Sequence, residues 1–352
     1  MKLLTVLDAL CGAPGLSGNE RGASDMAKRL FEPYCDETEI DGFGNVTATR
    51  FGKAEGLAVM LSSHIDEVGF VVAGITEGGF LNVRNLGGID PKILPSTDVI
   101  VHTESGRLPG VVAVPPKCLP AKDGQSRAAA VDELLVDIGY SRERAERLVA
   151  IGTAISYKCV AWPLGDRCVT SKTLDNRIHV AAMLECAKQL RAKELTNTLH
   201  FVSNSREETG AHGAYVAAKR LKPDLAIVFD VGQAATPDAG DPELMAIGRG
   251  PYITFGPQLH PVLSRRLRMI ATKLGFSFQT AISSGWTSTD ASIIQVAGRG
   301  VPCVLVGIPL RYMHTPVETI HTGDYDNLVR LIVEFLLHLE ENREELYAEA
   351  PL

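Results

Sequence analysis

Two hydrophobic rhythms alternate along the chain. Residues 57–63 (LAVMLSS) form a nearly continuous apolar run, and so do 199–203 (LHFVS), 225–229 (LAIVF) and 301–306 (VPCVLV). Short runs of this kind, without a regular polar alternation, predict strands buried on both faces of a parallel sheet. Between them, apolar positions recur at helical spacing over 176–193, 211–221 and 261–274. They do so again over 325–348, where Leu328, Leu331, Ile332 and Phe335 share one stripe. Strands alternating with helices predict an α/β fold, a mostly parallel sheet sandwiched by helices.

The rhythm changes between 68 and 116. Short β-rich pieces follow one another there (VGFVVAGIT, GFLNVRNLG, DVIVHT, GRLPGVVAV), punctuated by glycine and proline. That pattern predicts a small β-barrel or sandwich. A helical pattern over 129–150 follows, with Ser141 as the expected N-cap of residues 142–149. Strand-like pieces return at 154–170. We therefore expect a β-rich domain at 69–165, inserted into an α/β domain made of 1–68 and 166–352.

The first residues have the apolar look of a secretory leader, but Asp8 interrupts the stretch. Leu3, Leu4, Val6, Leu7 and Leu10 fit an amphipathic helix ending near Gly12. No stretch approaches the ~20 apolar residues of a membrane span. The net charge of −7, with no basic run, argues against a nucleic-acid partner. Seven scattered cysteines form no CxxC pair, which argues for reduced thiols, a cytoplasmic location and no thiolate-held zinc.

Chemistry-bearing residues fall at the ends of the apolar runs. His64 follows the first, in SHIDEVG at 63–69, with Asp66 two residues on. In open α/β sheets ligands bind at the carboxyl ends of strands. Asp66 shares His64's side of an extended chain and could fix its tautomer. Asp175, in TLDNR at 173–177, precedes a helical run, where an N-cap is the plain alternative. Glu207 and Glu208, in SREETG at 205–210, repel one another and gain from burial only beside cations. Asp230 ends the LAIVF strand, and His314 stands in RYMHTPVE at 311–318.

Two imidazoles, three carboxylates and a spare glutamate meet the needs of two divalent cations and a general base. Two such cations carry four positive charges against three carboxylates, so a single hydroxide would balance the cluster. In this scheme His64, Asp175, Glu208, Asp230 and His314 are ligands. Asp175 bridges, and Glu207 takes the proton of a metal-activated water. Mixed N/O ligands suit Zn²⁺, Co²⁺ or Mn²⁺. Asp290, in GWTSTDA at 285–291, and Arg311 are candidates for the substrate pocket.

These motifs resemble, almost end to end, the M42 family of metallo-aminopeptidases, also called glutamyl or deblocking aminopeptidases or TET peptidases. The similarity is carried by APGLSGNE at 13–20, DGFGNV at 41–46, SHIDEVG, PGVVAVPPK at 109–117, TLDNR, EETG, the Asp230–Val231 pair, the STDA loop and RYMHTPVE. The resemblance implies that His64 and Glu208 hold one metal, Asp230 and His314 the other, and Asp175 bridges. It also implies Glu207 as base, Asp66 as partner of His64, a PDZ-like or β-barrel dimerisation insert, and homododecamers built from dimers. The expected activity is removal of N-terminal residues from short peptides.

Three segments depart from the family pattern. Thr209-Gly210-Ala211-His212-Gly213 stands where VGLRG is frequent, Lys117-Cys118-Leu119 where a His is common, and Thr315 where Ser is usual. None removes a ligand. The competing expectations are an endo-glucanase-like hydrolase, a di-metal deacylase or carboxypeptidase on the same core, and a non-catalytic assembly protein.

Overall fold

A computed structural model describes residues 2–113, 129–158, 160–236 and 244–342. The four apolar runs form the parallel centre of an eight-stranded mixed sheet. Across it the strands run Glu37–Ile40, Val46–Arg50, Thr198–Asn204, Ala58–His64, Leu225–Phe229, Cys303–Gly307, Tyr252–Phe255 and Gln279–Ile282. The flanking pairs Val46–Arg50 with Thr198–Asn204 and Tyr252–Phe255 with Cys303–Gly307 are antiparallel.

Side-chain alternation divides the core. Val59, Leu61, Phe201, Ile227, Phe229, Val304 and Val306 face the helices Leu3–Gly12, Arg21–Phe31, Leu174–Leu190, Pro261–Leu274 and Thr322–Glu341. Met60, Val202, Ala226, Val228 and Leu305 face the smaller layer of His212–Leu221 and Ala291–Ile294. Both faces are covered, as continuous apolar strands require. The N-terminal stretch is a core helix with Val6, Leu7, Leu10 and Cys11 buried. No described helix is long and apolar enough to cross a membrane.

The β-rich middle is a closed six-stranded barrel in the order Gly69–Ile75, Leu81–Leu86, Leu135–Asp137, Gly106–Ala113, Asp98–Thr103 and Ala154–Tyr157. Phe70, Val72, Leu81, Val83, Val99, Val101, Val112 and Ile155 fill it. Closure overrides one local expectation. Leu135–Asp137 lies inside the stretch read as helical, yet it pairs with Leu81–Asn82 and with Val111–Ala113 to shut the barrel. The helix is confined to Arg142–Leu148. Ser141 stands at its N-cap position, but its hydroxyl donates to the Glu143 carboxylate and makes no cap bond.

After the barrel the chain enters a small antiparallel sheet of Trp162–Leu164, Cys168–Ser171 and Glu318–His321. This sheet brings the RYMHTPVE segment beside the strand that leads to Asp175. The Lys117–Cys118–Leu119 departure and the 343–348 end of the expected last helix lie outside the described residues.

Candidate metal centre

Strand register sets the site. His64 is the last residue of its strand and pairs with Asn204. On the other side Ser62 pairs with Val228, so Asp230 continues to the level of His64. The next two ligand candidates enter from loops. Asp175 lies in the first turn of helix Leu174–Leu190, in a non-helical conformation and joined to Asn176 by a cis peptide bond. The N-cap position of that helix is Thr173, and the Asp175 oxygens lie against two imidazoles instead. His314 sits in the loop before Glu318–His321 with φ of 62°.

Asp175 stands between the two imidazoles. Its Oδ1 lies 3.1 Å from His64 Nε2 and its Oδ2 3.3 Å from His314 Nε2. Glu208 Oε1 is also 3.3 Å from His314 Nε2, and Asp230 Oδ1 is 4.0 Å from His64 Nε2. Three sets of ligand atoms lie within 4.8 Å of one another: His64–Asp175–Asp230, Asp175–Glu208–His314 and His64–Glu207–Glu208. The first set joins His64 to Asp230 and the second joins Glu208 to His314, with Asp175 common to both, while the third keeps His64 beside Glu208, the pairing the resemblance implied. The carboxyl ends of neighbouring parallel strands explain the first pair, and the meeting of two loops explains the second.

The electrostatics call for cations. Burial pushes Glu207 up to about 10, aided by Asp230, Asp290 and Glu208 and opposed by His64. Burial likewise raises Asp230 and Glu208. Burial alone would lower His314, but hydrogen bonds to Asp175 and Glu208 carry it up to about 11. Each imidazole is thus held toward its cationic form by the carboxylates around it. Closely set carboxyls cannot all ionise without compensation, so the donor set fits divalent cations bound by N and O ligands.

The supporting residues are also carboxylates. Asp66, fully buried, lies 3.5 Å from His64 Nδ1. It also does what its sequence did not foretell, since its two oxygens accept the backbone N–H groups of Glu207 and Glu208 at 3.0 and 3.1 Å. Glu318, the last residue of RYMHTPVE, lies one step behind the ligand candidates. Its two oxygens accept the backbone N–H groups of Asp175 and His314 at 2.9 and 2.8 Å. The barrel contributes as well, because His314 Nδ1 meets the Gly88 carbonyl at 2.6 Å, and that contact fixes the tautomer that presents Nε2. Tyr252 donates its hydroxyl to the Asp230 carbonyl at 2.7 Å.

Two further candidates take different places. Asp290 is buried, and its Oδ2 accepts Asn204 Nδ2 at 2.9 Å. Its charge acts on Glu207, and it is only 2% exposed. Arg311 donates Nε to the Ala235 carbonyl at 2.9 Å and is half-buried near His314.

Known proteins resemble this chain along most of its length. The family model of M42 glutamyl aminopeptidase matches residues 44–331. The chain is 34% identical to the lysyl aminopeptidase of Pyrococcus furiosus, covering 93% of this chain and 95% of that one. The fold superposes on the TET aminopeptidase of a marine-sediment Thaumarchaeota archaeon with a TM-score of 0.91, at 28% identity and 98% coverage of both chains. It superposes on the TET1 peptidase of Pyrococcus horikoshii, which can assemble into a tetrahedron or a large octahedral shell, with a TM-score of 0.83, at 30% identity and 94% and 98% coverage. The chain belongs to the M42 family of glutamyl aminopeptidases, and it is a metal-dependent peptide hydrolase.

Proposed function

We propose that this aminopeptidase removes N-terminal residues from short peptides at a centre for two divalent cations, Zn²⁺, Co²⁺ or Mn²⁺. His64 and Asp230 would hold one, Glu208 and His314 the other, and Asp175 would offer one oxygen to each. The observation that carries this reading is Asp175, whose two oxygens face two different imidazoles at 3.1 and 3.3 Å. When bound, such a pair supplies Lewis acidity toward the scissile carbonyl and toward water.

The rest falls to side chains. Glu207 Oε2 lies 3.9 Å from His64 Nε2. No hydrogen bond to its carboxylate is seen among the described residues, so it is free to accept a proton from the attacking water. It then returns that proton to the leaving amine nitrogen. Asp66 orients His64 and holds the Glu207–Glu208 backbone. Arg311 is proposed to hold a carbonyl or carboxylate of the peptide.

The inserted domain, 69–165, is proposed as the dimerisation unit, with dimers assembling into a dodecamer. The described cysteines are unpaired, and we place the enzyme in the cytoplasm.

The test is Glu207→Gln. Its metal content should match wild type while turnover on a free N-terminal peptide falls by about 10²–10⁴-fold. Wild-type turnover in that variant would remove Glu207 from the mechanism.

A further inference from the structure

Among the described residues no hydrogen bond holds the Glu207 carboxylate, and the backbone that carries it is held in an unusual way. Four successive N–H groups, from Ser205 to Glu208, each donate to a buried side-chain oxygen from a distant part of the chain. Ser205 N donates to Asn45 Oδ1 at 2.9 Å, and Arg206 N to Glu20 Oε1 at 3.1 Å. Glu207 and Glu208 donate to Asp66, as described above. The Asn45 and Asp66 side chains are fully buried and Glu20 is 3% exposed.

The segment needs such a clamp. Arg206 has φ of 58°, a left-handed conformation that a non-glycine residue adopts at a cost. No helix or strand ladder is available to fix residues 205–208.

Glu20 is committed to this task. It occupies the N-cap position of helix Arg21–Phe31, where an acidic side chain ordinarily accepts from its own helix, yet it makes no cap bond. Its Oε1 instead joins Gly18 N, at 2.6 Å, to Arg206 N. Asn45 is held in turn. Its Nδ2 donates to Asp41 Oδ2 at 2.9 Å and to the Gly213 carbonyl at 3.1 Å. Gly213 leaves the room this requires, since a Cβ there would overlap Ser205 O and Asn45 Oδ1.

We propose that Glu20 and Asn45 are positioning residues for Glu207, setting the angle at which its carboxylate meets the reacting water and the leaving nitrogen. The proposal rests on the reading of Glu207 as the proton carrier. It also accounts for two motifs, APGLSGNE and DGFGNV, that carry no metal ligand.

The experiment compares wild type with Glu20→Ala, Glu20→Gln, Glu20→Asp and Glu207→Gln, each assayed as the metal-loaded full chain. Thermal midpoint, metal content, kcat and KM are measured for all. Glu20→Ala should lose kcat by roughly 10- to 100-fold, the scale of a misplaced catalytic group. Its KM should stay within about two-fold and its metal content should be unchanged, since substrate and metal contacts are untouched. Glu20→Gln, which keeps an acceptor for Arg206 N–H, should recover most of kcat. Glu20→Asp, with the oxygen withdrawn, should fall between. If Glu20→Ala does not fold, the Gln and Asp pair decides.

Wild-type kcat in folded, metal-loaded Glu20→Ala and Glu20→Asp would overturn the proposal, because a merely structural role lowers the thermal midpoint and leaves kcat alone. Were Glu207→Gln itself to stay active, the reading of Glu207 would fail instead.

Discussion

Glu318 accepts the backbone N–H of Asp175 at 2.9 Å, across 143 residues of sequence. Its other oxygen accepts His314 N at 2.8 Å. A single buried carboxylate thus locks the residue shared by both candidate metals to the loop that carries one imidazole. Groups of this kind, one step removed from the metal, orient the ligands. Glu318→Ala should therefore weaken divalent-metal binding by about 10- to 100-fold. Competition against a chromogenic chelator measures this directly, and unchanged affinity would reduce Glu318 to a fold-holding role.

Arg177 is fully buried, and it joins the first helix to the SHIDE motif. Its guanidinium donates to the carbonyls of Leu10 and Ala13 at 2.6 Å and of Ile65 at 2.9 Å, and lies 3.3 Å from Glu67. Lys172 pairs with the other Glu67 oxygen. Removing one member of such a network strands the others in the interior. Arg177→Met should cost about 3–5 kcal/mol, the range for breaking a buried ion pair. Gly15→Ala should also destabilise, because the added methyl would overlap the Arg177 guanidinium and lie 2.7 Å from Ala23 Cβ. Denaturant titration of metal-free protein reads both, and a loss under about 1 kcal/mol in Arg177→Met would show that the network repacks.

The centre of the fold was legible because its strands are apolar throughout. The 225–229 run became the strand Leu225–Phe229 with the same bounds. The edges were not legible. Glu37–Ile40 and Gln279–Ile282 are short, and exposed on one side, so polar and apolar residues mix without a clear period. Leu135–Asp137 lies in a stretch of helical pattern, yet barrel closure, a tertiary demand, makes it a strand. At the site, the candidate ligands His64 and Asp230 were legible as charged residues at strand ends, and Asp175, Glu208 and His314 only through their motifs. Their sorting into pairs was not, since it depends on which strands and loops are neighbours. Glu318, Glu20 and Asn45 act through backbone N–H groups that any residue could supply. No spacing in the sequence marks them.

His179 gives the fold an acid-sensitive point. It is fully buried, its Nδ1 pairs with Asn176 Oδ1, and its ring centroid lies 5.8 Å from that of Phe229. Burial lowers its pKa to about 3, against roughly 6.5 in an unfolded chain. The folded form therefore binds fewer protons than the unfolded form between these values. The stability this contributes is complete above pH ~6.5 and is lost as pH falls toward the folded value, by about 1.4 kcal/mol per unit. His179→Gln should make the fall in stability between pH 6.5 and 4.5 shallower by up to that slope. Equal slopes in the two proteins would mean that the imidazole is already solvated.

The most direct test of the central claim is metal reconstitution of the chelator-stripped enzyme, assayed with aminoacyl chromogenic substrates beside N-terminally blocked peptides and a β-glucan. The stripped enzyme should be inactive. Activity on free N-termini alone should return with Zn²⁺, Co²⁺ or Mn²⁺ and saturate at about two equivalents per chain, as a two-metal site requires. Full activity in the stripped enzyme, or hydrolysis of the blocked peptide or the glucan in place of the free N-terminus, would contradict the account.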